Sequence, residues 1–374
     1  MSTTFAIDAR TVNRRFPGIG RYVRNLLHAT IPHLRAGERI VYLANEHQQA
    51  ELALPENARL VWAQTTTSPF SVRQQWQIPQ LLRAYRVNVY HSSYYLMPYW
   101  AGVPTVLTVY DLIPQLFPEY VSLRARLLFQ ITTKLAVSRS ARVISISEAT
   151  RRDYIAHSHL EHSQTTTIPL ATATHFQPQP AARIQEVNNH YKLPPRYVLY
   201  VGANKPHKNL VRLVQAWHEV LQQSEVVHDL VLAGYWDPRY PEVYKEIERL
   251  KLGSRVHLLE NVADEDLPAL YSGASVFVFP SLYEGFGLPV LEAMACGCAV
   301  TCANRSSLPE IVGDAALLFD PLRTGEIAKS IQLLLRDDDR RHDYRRKSRK
   351  RAAAFSWDRT AAETLQIYRE VTRR

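Results

Sequence analysis

Short apolar runs rich in β-branched residues alternate with longer runs whose apolar positions recur every three or four residues. This pattern predicts βαβ units and parallel sheets. In the first half the strand candidates are Phe5–Asp8, Ile40–Ala44, Asn88–His91, Thr105–Val109 and Arg142–Ser145. Helix candidates between them include Arg21–Ile31, Gln74–Tyr85 and Leu123–Val137. The pattern restarts with strand candidates Tyr197–Val201, Asp229–Ala233, Val256–Leu259, Ser275–Phe279 and Ala299–Cys302, and a helix over Leu210–Leu221. The stretch from Val87 to Tyr110 has no charged residue, but Asn88, His91, Pro98 and Pro104 suit no lipid-exposed helix. It reads as two buried strands and a loop.

The halves are divided by composition. Residues Ala171 to Pro195 carry Pro178, Pro180, Pro194 and Pro195 with no sustained apolar period, which predicts a linker over 173–195. The expected organisation is an α/β domain over 1–172, a second over 196–355, and a terminal helix over 356–374. That helix has an apolar face of Leu365, Ile367, Tyr368 and Val371 that must dock on one of them. A chain of 374 residues also exceeds what one core usually serves, roughly 250–300 residues.

Composition narrows the class. With 46% hydrophobic and 21% charged residues the chain is globular, and 3 cysteines exclude a disulfide-dense scaffold. Met1 to Arg10 includes Asp8 and no apolar run, so a cytoplasmic location without a signal peptide is expected. The formal net charge of +10 favours anionic partners. Two basic segments stand out: Arg340–Arg351, read as a solvated helix face, and the helical run Leu123–Arg142. The latter mixes Arg124, Arg126, Lys134 and Arg139 with Leu127, Leu128, Phe129, Ile131 and Leu135. It suits either an ordinary packed helix or peripheral contact with the anionic inner face of a membrane.

The chemistry is concentrated in Phe277-Val-Phe-Pro-Ser-Leu-Tyr-Glu284-Gly-Phe-Gly-Leu-Pro-Val-Leu-Glu292. A strand ends, a glycine loop follows, and Pro289 suits the start of a helix. The amides around Phe286, Gly287 and Leu288 then form an anion site, flanked by Glu284 and Glu292. Carboxylates repel phosphate but bind hydroxyls, so a nucleotide sugar satisfies the whole segment. Gly202-Ala-Asn204-Lys-Pro-His207-Lys208-Asn209 offers a second anion site at a strand end, and Pro17-Gly18-Ile-Gly20-Arg21 a third. Two domains with phosphate-friendly loops imply a ligand in the cleft between them.

In these segments the chain resembles the retaining family 4 glycosyltransferases (group 1, mannosyltransferase-like subgroup), over nearly its whole length. The likeness rests on Glu284-x7-Glu292, Gly-Ile-Gly-Arg-Tyr at 18–22, Tyr-Asp-Leu-Ile-Pro at 110–114, Ser-Ile-Ser-Glu-Ala-Thr at 145–150 and Pro-His-Lys-Asn at 206–209. Ala-Asp-Glu-Asp-Leu-Pro-Ala-Leu-Tyr at 263–271 and Phe-Ser-Trp at 355–357 also fit. It implies the GT-B fold: two Rossmann-like domains, acceptor side first and donor side second, with the terminal helix crossing back to the first. It implies transfer of a hexose from UDP-hexose or GDP-mannose to a saccharide or lipid-linked acceptor in polysaccharide or glycolipid synthesis, with no prosthetic group and no metal. Glu292 would then bind the ribose, Lys208 the diphosphate and Glu284 the donor sugar. Gly18, Gly20, Asn204, His207 and the amides of Phe286–Leu288 would complete the donor site, and Asn261 and Val262 would lie near the base. Catalytic positions would be Glu284, Lys208, Tyr110 and Asp111. Tyr110 stands where the family commonly has His, and His207-Lys208 where a basic pair is expected.

Other readings of the same residues are structural. Asp264-Glu-Asp266 and Asp337-Asp-Asp339 read as helix starts, and Cys296, Cys298 and Cys302 as small buried residues. His157, His159 and His162 read as a polar loop cluster rather than a metal site. The alternative functions are a nucleotide-sugar epimerase on the same fold and a basic nucleic-acid-binding protein. The latter predicts aromatic residues among the basic ones, where Arg340–Arg351 offers Tyr344 alone.

Overall fold

The computed structural model describes residues 2–13, 17–158, 160–223 and 226–373. The chain forms two compact units, Met1–Leu170 with Ser356–Arg374, and Ala171–Phe355. Each is built on one parallel sheet.

In the first unit the strands are β1 (Thr3–Asp8), β2 (Glu38–Ala44), β3 (Leu60–Gln64), β4 (Val89–Ser92), β5 (Thr105–Val109), β6 (Arg142–Ser145) and β7 (Thr165–Thr167). Their spatial order is β3-β2-β1-β4-β5-β6-β7, every pairing parallel. The uncharged stretch after Val87 is thus β4, a loop and β5. Helices on the faces bury the strands from both sides, which is why β4 and β5 are apolar or uncharged throughout. The sheet order reverses between β1 and β4.

The second unit repeats the plan with β8 (Tyr197–Val201), β9 (Asp229–Ala233), β10 (Val256–Leu259), β11 (Val276–Phe279), β12 (Val300–Ala303) and β13 (Ala316–Phe319). The order is β10-β9-β8-β11-β12-β13, all parallel, so the reversal falls between β8 and β11. Tyr-Val-Leu-Tyr-Val in β8 is buried at every position. Gly202 and Gly234 follow β8 and β9. A Cβ on Gly234 would stand 2.2 Å from the Gly202 carbonyl oxygen, so the two loop backbones touch only because Gly234 lacks one.

Three expectations are corrected. Residues 173–195 are not a bare linker: they hold helix Ala181–His190, whose one buried residue is Val187, too small an apolar face for the periodicity to reveal. Arg183 and Tyr191 at its two ends bind the Asp266 carboxylate. Asp266 does stand at the start of helix Leu267–Gly273, but it caps nothing with its side chain because that carboxylate is already bound. Gly18 and Gly20 lie inside helix Pro17–Thr30, not in a loop before it. Asp337, by contrast, accepts the Arg340 amide (2.9 Å) as an ordinary cap of helix Asp338–Ala352. His159 lies outside the described residues.

The terminal helix, Trp357–Thr372, docks on the first unit. Its Arg369 pairs with Glu38 at 2.8 Å, Thr360 donates to the Pro169 carbonyl, and Tyr368 is fully buried. No helix among the described residues is long and apolar enough to cross a membrane.

Candidate active site

In an open parallel sheet, the strand order reverses at the place where side chains from two loops can face one ligand beyond the carboxyl ends. In the second unit that place lies past β8 and β11, and Lys208 and Glu284 meet there. Residues Pro206–Lys208 form a short 3-10 turn, ended by Asn209 in the left-handed region (φ 62°). Asn209 is held by its amide donating to the Pro280 and Pro321 carbonyls. The turn is thereby fastened to the end of β11, and Lys208 Nζ lies 2.5 Å from Glu284 Oε1 and 5.4 Å from the centre of the Phe279 ring. The two side chains are only 16% and 12% exposed.

The loop that carries Glu284 is held from behind. Ser306 and Ser307 donate to the Glu284 carbonyl at 2.5 and 3.0 Å, and Ser307 also reaches the Phe286 carbonyl at 2.7 Å. Gly287 then turns the chain into helix Leu288–Ala295 with φ 104°, where a Cβ would strike Leu308 at 2.7 Å. Pro289 has no N–H, and Val290 and Leu291 donate to the Gly287 carbonyl, so the amides of Gly287 and Leu288 are the ones at the helix start that can face an anion. Glu292 sits one turn on, 3% exposed, with Tyr271 donating to its Oε2 at 3.0 Å. Pro289 follows the first helical residue, as the sequence pattern implies.

The remaining residues named for this site have different surroundings. His207 is buried; burial and the adjacent Lys208 lower its pKa to about 4, so its ring is neutral near pH 7. Its carbonyl accepts from the Leu282 amide and the Ser281 hydroxyl. Asn204, expected in the donor site, is buried and bonds a neighbouring loop. Its amide donates to the Asp237 and Tyr240 carbonyls and its oxygen accepts the Asp237 amide, which pins the loop after β9. Asn261, at φ 56°, and Val262 follow β10 at the same carboxyl end of the sheet. Phe286 is buried and packs edge-on to Phe355 at 6.0 Å.

Gly18, Gly20, Tyr110 and Asp111 belong to the first unit. A Cβ on Gly20 would make ordinary contact with Val12 at 3.6 Å, and Gly18 faces open space. Asp111 accepts the Ile113 amide at 3.1 Å and so starts the next turn. Tyr110 packs edge-on against Tyr22 at 5.7 Å, and its hydroxyl is enclosed with no hydrogen-bond partner among the described residues. A buried orphan hydroxyl is rare and marks a place where a ligand or water supplies the partner. Burial raises its pKa well above the usual tyrosine value.

Sequence reading missed the polar cluster where this sheet reverses. Asp8, at the end of β1, holds Arg10 at 2.6 Å and accepts from Tyr90 of β4 at 2.5 Å, all three buried. Burial alone would raise the Asp8 pKa, but Arg10 pulls it below the usual value. His91 of β4 bridges Thr108 (2.7 Å) and Tyr368 (2.5 Å), and burial lowers its pKa to about 3. Tyr271, Ser306 and Ser307 were missed in the second unit. Polar residues at the very end of apolar strands were the available signal for Asp8 and His91.

Comparison with known proteins gives matches in both halves of the chain. The family model "Glycosyl transferases group 1" matches residues 183–351, and "Glycosyltransferase Family 4" matches 17–176. The O-antigen chain mannosyltransferase B of Escherichia coli is 32% identical over 298 residues, 79% of this chain and 77% of that protein. The serotype-specific mannosyltransferase WbdA of Escherichia coli is 31% identical over 279 residues, 72% of this chain but only 34% of WbdA, so the chain spans about a third of that relative. Among solved structures, HepE of Anabaena in complex with UDP and glucose superposes with a TM-score of 0.77 at 18% identity, covering 98% of this chain and 100% of HepE. Neither the epimerase nor the nucleic-acid reading finds support among these.

Proposed function

The chain belongs to the family 4 glycosyltransferases (group 1), with the GT-B fold, and from that premise we propose that it is a retaining mannosyltransferase using GDP-mannose in polysaccharide synthesis. The observation that carries the reading is Lys208 facing Glu284 at the reversal point of the second sheet, one loop from Glu292. Mannosyl transfer, rather than another hexose, is favoured by the mannosyltransferases among the relatives.

The chemistry follows from the charges. Breaking the bond between the sugar C1 and the diphosphate oxygen develops negative charge on the leaving group. The Lys208 ammonium and the amides opening helix Leu288–Ala295 neutralise that charge where it forms. The acceptor hydroxyl attacks C1 on the face the diphosphate leaves, and its proton passes to the departing phosphate oxygen; the products are GDP and an α-mannoside. Glu284 accepts from sugar hydroxyls, while Glu292, steered by Tyr271, accepts from both ribose hydroxyls. No metal enters this scheme. In the first unit the Tyr110 hydroxyl, enclosed without a partner among the described residues, is placed to bond a saccharide hydroxyl, and Asp111 holds the turn beside it.

A lipid-linked saccharide is the proposed acceptor. Helix Leu123–Arg139 leaves Leu123, Leu127, Leu128 and Ile131 more than half exposed beside Arg124, which suits peripheral contact with an anionic cytoplasmic membrane face. The test is transfer from GDP-mannose, UDP-glucose and UDP-galactose to a lipid-linked oligosaccharide, with the product anomer read by NMR. GDP-mannose alone should give product, of α configuration. Transfer from a UDP-hexose alone overturns the donor, and a β product overturns retention.

A further inference from the structure

The basic helix Asp338–Ala352 carries Arg340, Arg341, Arg345, Arg346, Lys347, Arg349, Lys350 and Arg351, and most of these are accounted for. Arg340 pairs with Asp337 and Arg341 with Asp338; Arg346 and Lys347 share Asp343. Arg351 donates to the Glu310 and Ile311 carbonyls. Arg345, Arg349 and Lys350 have no carboxylate partner among the described residues. All three line one pocket of about 610 Å³, with Arg346 at its side and not one acidic residue in its wall.

The pocket is far from featureless. Arg345 donates to the Ala274 carbonyl at 2.8 Å, while its Nε is enclosed without a partner among the described residues. The Arg349 stem lies on Gly297, where a Cβ would approach its Cδ to 3.3 Å, so this glycine leaves room for the side chain. Arg345 and Arg349, and likewise Arg346 and Lys350, are four apart on one helix face, an arrangement in which like charges repel. Two helix ends, Leu267–Gly273 and Leu288–Ala295, bring their carbonyl termini to this wall, each equivalent to about half a negative charge. Those two half-charges leave most of the charge of Arg345, Arg349 and Lys350 uncompensated, Arg346 being paired with Asp343.

We propose that this pocket is a binding site for a phosphate-bearing anion, held by Arg345, Arg349 and Lys350. It is separate from the candidate donor site. Helix Leu288–Ala295 has its amide end at the donor loop and its carbonyl end at this pocket, about 12 Å away along the axis. A volume of about 610 Å³ admits a sugar phosphate or a phospholipid headgroup, so the ligand is soluble or part of a membrane. Guanidinium groups favour it, since they meet phosphate oxygens two at a time.

Inorganic pyrophosphate is the probe, titrated calorimetrically. To weaken binding at the donor site, the parent is Lys208→Ala, compared with Lys208→Ala/Arg349→Gln/Lys350→Gln. The added pair should weaken pyrophosphate about tenfold or more, since each lost charged hydrogen bond has roughly that effect. Equal affinity in the two proteins overturns the site. Gln179→Glu, which sets a carboxylate in the wall without touching the helix, should weaken binding likewise; unchanged binding again overturns it. In a second arm, the wild-type protein and Arg349→Gln/Lys350→Gln are sedimented with phosphatidylcholine vesicles, with and without phosphatidylglycerol. Loss of phosphatidylglycerol-dependent sedimentation in the variant identifies a headgroup ligand. Unchanged sedimentation beside weakened pyrophosphate binding identifies a soluble one.

Discussion

Replacing Lys208 by alanine tests the proposed site at its centre, because the lysine has two roles that respond differently. Without donor it neutralises Glu284 at 2.5 Å, both side chains being mostly enclosed. Removing one member of a buried pair costs about 3–5 kcal/mol, and the residual exposure here brings that to about 1–3 kcal/mol. With donor bound, the same ammonium opposes the charge of the leaving diphosphate. Loss of one such contact in a water-poor site costs roughly 2–4 kcal/mol of transition-state stabilisation, about 10²–10³ in rate.

The two effects separate in a pair of variants. Lys208→Ala should melt earlier and transfer 10²–10³ times more slowly. Lys208→Met/Glu284→Gln removes both charges, so its melting temperature should return toward the parent's while transfer stays lost. Lys208→Arg keeps the charge with altered geometry and should recover part of the rate. Initial rates at saturating donor, with thermal melts on the same samples, measure all three. A Lys208→Ala rate within about threefold of the parent would refute the role, since that is under 1 kcal/mol of barrier.

Glu292→Ala should weaken binding of the nucleoside diphosphate about tenfold or more, whereas Glu284→Ala should mainly lower turnover, because only the second lies beside the reacting sugar. Isothermal titration of each variant decides, and unchanged affinity in Glu292→Ala refutes the ribose assignment. Transfer should persist at full rate in EDTA, the leaving diphosphate being met by Lys208 and helix amides; complete loss restored by Mg²⁺ or Mn²⁺ would refute this. Stability should fall as pH drops from about 6.5 toward 4, because His91 and His207 are held neutral by burial with pKa values of about 3 and about 4, while the unfolded chain takes up those protons. Each contributes up to about 1.4 kcal/mol per pH unit in that window. Urea melts of the parent and His91→Gln across pH 4–7 measure it, and equal pH slopes in the two would refute the His91 contribution.

The sheets were legible where strands lie deep inside them. Thr105–Val109, Tyr197–Val201 and Asp229–Ala233 have the bounds their apolar runs imply. The three strands that sequence reading missed, Leu60–Gln64, Thr165–Thr167 and Ala316–Phe319, are all sheet edges. An edge strand is covered less and tolerates polar positions: Thr165–Thr167 is three threonines, whereas the fourth edge strand, Val256–Leu259, keeps an apolar run and was legible. The carboxylate pair and Lys208 were legible because a loop between a strand and a helix carries its chemistry in consecutive residues. Tyr271, Ser306 and Ser307 were not, since their hydroxyls come from helix Leu267–Gly273 and from the turn after β12 and acquire meaning only through tertiary contact.

The same limit explains the first unit, where the cluster at the reversal of strand order draws on four separate segments. Asp8 ends β1 and Arg10 follows it, Tyr90 and His91 belong to β4, Thr108 to β5, and Tyr368 to the terminal helix. A buried Asp–Arg pair is a weak source of stability, because desolvating two charges offsets most of their attraction. Its value lies in geometry: Tyr90 and Arg10 hold Asp8, and Arg10 in turn meets Gln74 and the Thr67 carbonyl, so the loops beyond β1 and β3 are fixed together. His91 does the same for the terminal helix. Its neutral ring joins Tyr368 to Thr108, which also bonds Tyr22, the ring against which Tyr110 packs. The return of Trp357–Thr372 to the first unit thus positions, through three side chains, the one tyrosine hydroxyl there that is buried without a partner among the described residues.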